Sequence, residues 1–351
     1  MTQRRSEDEK PATIYDVAEA AGVSPSTVSR AFSRPGRVSS KTAAKIHQVA
    51  AEIGYRTEQV TRAVPTSKTK LLGVAITDVT NPFFFSIIRG VEQVAYQSGY
   101  AVLLVDTRES SDLERKLHER TAPVLDGLIV ATSRVSDTAL RGIAKEVSTV
   151  VLNRLVAGLP CVITDNARGM RRALEHLAEM GHRRVCYVSG PAASWADGAR
   201  WRAFREGCFE LELIDHKIGP VPPTVRGGYS VFKQVMGQRV SAVICYNDMM
   251  AIGLDRAAKD AGFVVPGDLS VIGFDNTFAS DLVTPGLTTV AAPLAQLGEA
   301  SAKVALATIN NEPTRMPASN SVVMPMKLIV RESTGPIRRT RLETRNARLN
   351  R

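Results

Sequence analysis

From Leu71 to about Asp275 the chain alternates short runs of β-branched and aliphatic residues with longer stretches in which apolar positions recur every three or four residues. The short runs are LLGVAIT (71–77), AVLLVDT (101–107), LDGLIVAT (125–132), STVVLNR (148–154), RRVCYVSG (183–190), SAVICYND (241–248) and LSVIGFD (269–275). Apolar runs of this length suit strands buried on both faces. The stretches between them, such as FFSIIRGVEQVAYQSG (84–99) and NARGMRRALEHLAEMG (166–181), have helical spacing and end on glycine, the residue that closes helices most readily. Strands spaced by helices predict a parallel α/β body. Its length of about 260 residues exceeds what one doubly wound sheet usually takes, which predicts two lobes.

The N-terminal part follows a different pattern. Residues 13–56 are dense in helix signals, and the polar, basic RTEQVTRAVPTSKTK (56–70) after them reads as a linker. The expected organisation is a polar tail (1–11), a helical DNA-binding domain (12–57), a hinge or linker (58–70), a two-lobed effector-binding and dimerisation domain (71–335) and a basic tail (336–351). Within the first domain, Ala18, Gly22 and Val28 stand at the spacing A-x3-G-x5-V. Thr13 can cap a first helix, Gly22 can end it in the left-handed conformation, and Ser24-Pro25 supplies the cap and first turn of a second. Two short helices crossing at a small residue make a helix-turn-helix. The second helix is expected to expose Ser26, Thr27, Ser29 and Arg30. Short hydroxyls allow close approach to phosphates and base edges, and one arginine can take a guanine bidentately. Ser39 is the expected cap of a third helix, on which Lys41 and Lys45 can meet phosphates. A plain helical hairpin is the structural alternative.

Charge supports the DNA reading. Residues 1–70 hold 12 Lys and Arg against 7 Asp and Glu, residues 331–351 hold 7 against 2, and the middle is balanced at 26 of each. Basic ends on a neutral body suit contact with a polyanion. The four cysteines are far apart with no CxxC pair, so neither a disulfide framework nor a metal site is written in the sequence, and no cofactor is expected. The charged start MTQRRSEDEK leads into no apolar segment, and no run is long enough for a membrane span, so a cytoplasmic location is expected. No GxGxxG follows a strand, and there is no P-loop, HExxH or GxSxG, so no enzyme motif is visible.

TIYDVAEAAGVSPSTVSRAF, followed by VSSKT and IGY, resembles the DNA-binding head of the lactose/galactose repressor family. LLGVAITDVTNPFF, LDGLIV, VITDNARGMRRALEHLAEMGHRRVCYVSGP, ICYNDMMAIGL, VPGDLSVIGFDN and PGLTTV resemble its sensor domain, so the likeness covers residues 12–335. The resemblance implies an all-α helix-turn-helix head joined by a hinge to a two-lobed, periplasmic-binding-protein-like α/β body. It also implies a dimer on a pseudo-palindromic operator and a sugar or nucleoside-like effector that changes DNA affinity. The DNA-facing set is then Thr13, Tyr15, Ser24, Pro25, Ser26, Thr27, Ser29, Arg30, Ser39, Lys41, Thr42, Tyr55 and Val64. In the family the hinge begins with Pro-Asn and carries a leucine wedge, whereas here Thr57-Glu58 and Val64 occupy those places.

In a two-lobed body, ligands sit where strand C-termini face one another. Polar or aromatic residues follow several strands: Asp78 to Phe84, Asn153-Arg154, Asn247-Asp248 and Asp275-Asn276. By resemblance Phe83, Phe84, Asn153, Arg200, Asn247 and Asp275 match effector-contacting positions; Arg154 and Trp195 are local candidates. Arg200 and Asp275 can pair and share hydrogen bonds with hydroxyls, and an aromatic can cover the apolar face of a ring. The bland reading of the same residues is helix capping for Asn247 and Asp275 and core for Phe83 to Phe85. His182, alone between a helix and a strand, is expected to be structural. The tail has too few leucines in register for a coiled coil, which favours a dimer. Two alternatives are a sugar-binding protein of the same lobed fold and an α/β enzyme with an appended DNA-binding head.

Overall fold

The computed structural model describes residues 13–33, 36–53, 68–313, 316–317 and 320–337. Tyr55, Thr57 and Val64 lie outside the described residues. The chain divides into two compact units, Met1–Thr66 and Ser67–Arg351.

Among the described residues, three helices build the first unit: α1 (Ile14–Ala21), α2 (Pro25–Ser33) and α3 (Ser40–Glu52). At the start of α1 the Thr13 amide and hydroxyl both donate to Asp16, at 2.6 and 2.7 Å. Gly22 ends the helix at φ 66°, a conformation that costs glycine almost nothing. Ser24 Oγ accepts from the Thr27 amide and Ser39 Oγ from the Thr42 amide, capping α2 and α3. Val17, Ala18, Ala21, Val28, Ala31, Ile46 and Ala50 form the core, where small alanines let the helices approach closely.

The second unit holds two six-stranded sheets. The first, ordered β11-β5-β4-β3-β1-β2, is parallel throughout. Its strands are β1 (Leu71–Ile76), β2 (Ala101–Asp106), β3 (Gly127–Ala131), β4 (Ser148–Leu152), β5 (Cys161–Thr164) and β11 (Ser321–Met324). The second is ordered β12-β10-β9-β8-β6-β7. It comprises β6 (Arg184–Val188), β7 (Ile214–Ile218), β8 (Ala242–Cys245), β9 (Ser270–Asp275), β10 (Thr288–Ala291) and β12 (Lys327–Ile329), and only β12 runs antiparallel. All seven apolar runs of the sequence are therefore strands, and five further strands join them.

Each sheet packs helices on its faces around its own apolar core. The chain passes between lobes after β5, after β10 and after β11. After β10, helix Leu294–Ile309 returns to the first lobe and crosses helix Phe83–Gln97 so tightly that a Cβ on Gly90 would lie 2.1 Å from the Ala295 carbonyl oxygen. His182 is buried between Ser241 Oγ, 2.8 Å from Nδ1, and the Gly335 carbonyl, 3.1 Å from Nε2, with burial holding its pKa low.

Candidate functional sites

In the first unit, α2 presents Ser26 and Arg30 to solvent, but Thr27 and Ser29 are half-buried rather than exposed. They flank Val28, which is fully buried, so they sit on the shoulders of the helix and not on its outer face. Arg30 lies back along its own helix, its Nε donating to the Ser26 carbonyl and its Nη2 to Ser26 Oγ, both at 3.1 Å. Tyr15, at 70% exposure, and exposed Thr13, Ser24, Pro25, Ser39 and Lys41 leave further groups open to a polyanion, while Thr42 is half-buried beside its cap.

In the second unit, a cleft opens where strand C-termini of the two lobes face one another. Thr77 follows β1, Thr132 follows β3 and Asn153 follows β4; Tyr246 and Asn247 follow β8, and Asp275 ends β9. Asn81, Phe83, Phe84, Glu109, Arg134, Arg200 and Pro223 complete the lining. Six of the eight sequence candidates thus meet in one place: Phe83, Phe84, Asn153, Arg200, Asn247 and Asp275. Arg154 and Trp195 do not line it. The Arg154 guanidinium turns to the Val135 carbonyl and the Asp137 carboxylate, at 2.7 and 2.5 Å. Trp195 opens helix Trp195–Glu210 behind the Ser194 cap, half-buried.

Arg200 organises the second-lobe wall. Its Nε donates to Asn166 Oδ1 at 2.9 Å, Nη1 to the Tyr246 carbonyl, and Nη2 to Asp275 Oδ1 at 3.3 Å, while the guanidinium lies 4.2 Å from the Phe274 ring centre. Burial pushes the Asp275 carboxyl up to about 8; Arg200 opposes the rise and nearby Asp248 adds to it. Asp275, at φ 108°, and Asn153, at φ 58°, are both left-handed, a conformation that Asn and Asp tolerate better than other side chains. Asn247 does cap the next helix, its Oδ1 accepting from the Met250 amide, and its Nδ2 donates to the Pro223 carbonyl. Asp248 faces inward and holds Thr289, Thr277 and Ser280. Phe83 and Phe84 belong to the core and also face the cleft. Phe85, half-exposed, stacks on Phe278 of the second lobe at 6.2 Å.

Sequence reasoning missed Thr77, Glu109, Thr132, Arg134, Pro223 and Tyr246. Thr77, Thr132 and Tyr246 carried the signal that found Asn153, a polar group directly after a strand. It also missed Asn166, whose Nδ2 donates to Thr164 Oγ1, which in turn donates to Asn153 Oδ1, so that hydrogen bonds run from one lobe to Arg200 in the other. Among the described residues no cluster of His, Cys, Asp or Glu could hold a metal ion, and no helix is long and apolar enough to cross a membrane.

A helix-turn-helix unit together with a two-lobed α/β unit lined by polar groups at its strand ends defines a DNA-binding protein with a small-molecule sensor. Comparison with known proteins places it more closely. Residues 13–58 match bacterial regulatory proteins of the lacI family, and residues 174–334 match the periplasmic binding protein-like domain. The chain is 30% identical over 339 residues to the HTH-type transcriptional regulator DegA of Bacillus subtilis (strain 168), covering 93% of this chain and 98% of that one. It superposes on the lac repressor dimer bound to operator and an anti-inducer with TM-score 0.68 and 26% identity, over 93% of this chain and 100% of the other. A LacI family transcriptional regulator from Enterococcus faecium with bound ribose gives TM-score 0.66 and 31% identity, over 76% and 100%. The chain belongs to the lacI family of bacterial regulatory proteins. It is a DNA-binding transcriptional regulator and not an enzyme.

Proposed function

We propose that this regulator binds a pseudo-palindromic operator as a homodimer and that a small polyhydroxylated effector, a sugar or nucleoside, changes its DNA affinity by occupying the cleft. One observation carries the effector half: Asn153, Arg200, Asn247 and Asp275, drawn from both lobes, line one cleft with Phe83 and Phe84. Fixed donors and acceptors beside an aromatic surface suit hydroxyls and the apolar face of a ring. The similar proteins solved with operator and with ribose support the same reading.

On the DNA side the reading assigns base contact to Arg30 and Ser26, and backbone contact to Thr13, Tyr15, Ser24, Pro25, Thr27, Ser29, Ser39, Lys41, Thr42 and Tyr55, with Val64 as the hinge wedge. The protein works in the cytoplasm, with residues 58–70 joining head to sensor. The test has two parts. Monosaccharides and nucleosides are screened for a rise in thermal midpoint, since a binder stabilises by mass action. Any hit is then added to an operator titration. A hit that changes operator affinity supports the proposal; stabilisation with no change in operator affinity refutes the regulatory half, and footprinting of one unrepeated site refutes the dimer.

A further inference from the structure

Two strained loops of the first lobe converge on a single buried guanidinium. After β2, Arg108 and Glu109 adopt φ 49° and 57°, and after β3, Thr132 adopts φ 61°. Left-handed backbone costs non-glycine residues free energy, most of all a β-branched threonine, and such strain gathers at functional sites. The result is a built arrangement around Arg134. Its Nε donates to Glu109 Oε2 at 2.6 Å, Nη2 to Glu109 Oε1 at 3.1 Å and Nη1 to the Thr132 carbonyl at 2.7 Å. Its backbone amide donates to the buried carboxylate of Glu114 at 2.8 Å. The Arg134 side chain is 4% exposed. Both Arg134 and Glu109 line the cleft, and the Tyr246 phenol of the opposite lobe is within hydrogen-bonding reach of the guanidinium.

A guanidinium carries five N–H groups, and Glu109 and Thr132 occupy three of them. Two more, on Nη1 and Nη2, belong to a residue that lines the cleft and have the Tyr246 phenol beside them, so a ligand that takes both displaces that phenol. Their charge is already balanced by Glu109. A ligand with two neighbouring hydroxyls can accept both N–H groups and donate in return to the free lone pairs of Glu109. A ligand carboxylate at the same place would set two anions around one cation.

We propose that Arg134, oriented and neutralised by Glu109, determines the specificity of the effector site: it takes a vicinal diol of an uncharged sugar, and Glu109 turns away the corresponding sugar acid. The inference rests on the cleft being the effector site. Isothermal titration of the full chain with ribose, xylose, glucose and galactose, and with glucuronate and galacturonate, tests it. The wild type is expected to bind at least one neutral sugar, with its uronate at least tenfold weaker. Glu109→Gln keeps the shape and removes the charge, and is expected to move the uronate-to-hexose affinity ratio at least tenfold toward the acid. Arg134→Lys keeps the charge and loses the fork, and is expected to weaken the neutral sugar at least tenfold. Equal binding of sugar and uronate by the wild type, or an unchanged ratio in Glu109→Gln, overturns the assignment. If Asp275→Asn then abolishes sugar binding, the cleft still stands as the effector site and only the role of Arg134 and Glu109 fails. If no sugar binds, or if Asp275→Asn and Arg134→Lys both bind like the wild type, the sugar-cleft reading fails and this inference with it.

Discussion

Replacing Arg200 by alanine is expected to destabilise the ligand-free protein as well as abolish effector binding. The side chain is buried and donates to Asn166 Oδ1, the Tyr246 carbonyl and Asp275 Oδ1, which belong to three separate segments of the chain. Truncation leaves all three acceptors buried without this partner. Removing one member of a buried ion pair costs about 3–5 kcal/mol, mostly through the charge left behind. Burial already pushes the Asp275 carboxyl up to about 8, so it can escape that cost by keeping its proton, which sets the expected loss at the lower end, about 3 kcal/mol. At roughly 2–4 °C per kcal/mol for a domain of this size, the thermal midpoint should fall by roughly 6–12 °C. Thermal unfolding followed by circular dichroism at pH 7, without ligand, measures it. Arg200→Lys, which keeps the charge and loses the fork, should fall between the two. A midpoint for Arg200→Ala within about 2 °C of wild type, a shift worth less than about 1 kcal/mol, would refute the view that Arg200 holds the cleft wall together.

The folded chain holds the Asp275 proton far more tightly than the unfolded chain, at about 8 against 3.8. The stabilisation from this group is therefore complete below about pH 4 and lost as pH rises through about 8. Asp275→Asn should flatten that part of the curve of unfolding free energy against pH, and a slope identical to wild type would count against the shifted proton. Gly90→Ala gains about 1 kcal/mol of helix propensity, yet its methyl would meet the Ala295 carbonyl oxygen at 2.1 Å, so a net loss of stability is expected. Gly142→Ala, with nothing within 4 Å of its new methyl, is the control and should not lose stability; equal midpoints for the two would overturn the packing argument. Arg30→Ala should weaken operator binding by about 1–3 kcal/mol and relax preference at one base pair, measured by fluorescence anisotropy on single-base operator variants. A loss spread evenly over every variant would make Arg30 a phosphate contact instead.

Most of the strands that could be read from the sequence are buried on both faces; β2, AVLLVD, is an edge strand that its apolar composition alone revealed. β1 and β9 are uninterrupted apolar runs because helices cover both sides of each sheet. β7, IDHKI, is an edge strand with most of its residues exposed, so nothing in its pattern separates it from a loop. β5, CVIT, and β10, TTVA, are as short as β8 but carry threonine where β8 is wholly apolar, and β11 and β12 are sheet edges. The same logic governs the cleft. Asn153, Asn247 and Asp275 stand at strand ends, where chain direction alone sends a residue toward the opposite lobe. Glu109 and Arg134 stand two or three residues further on and arrive through left-handed turns that no local pattern announces. Arg154 satisfies the same positional argument, but Asp137 and the Val135 carbonyl capture it; Trp195, well past the end of β6, is spent opening a helix.

A ligand changes the balance between two lobe arrangements only if it binds one of them better than the other. Groups from a single lobe cannot supply that difference, because their geometry moves with the lobe. In this cleft the acceptors and donors are split: Asn153, Glu109 and Arg134 on one side, Arg200, Asn247 and Asp275 on the other. A ligand bridging the two sides is held fully at one separation and loses half of its hydrogen bonds at any other. The path Asn153–Thr164–Asn166–Arg200 already ties the walls together through the chain crossing after β5. The discriminating contacts are then those a ligand makes across the cleft, from Arg134 and Glu109 on one wall to Arg200 and Asp275 on the other, and coupling between effector and DNA should depend on Arg134 more steeply than binding itself does.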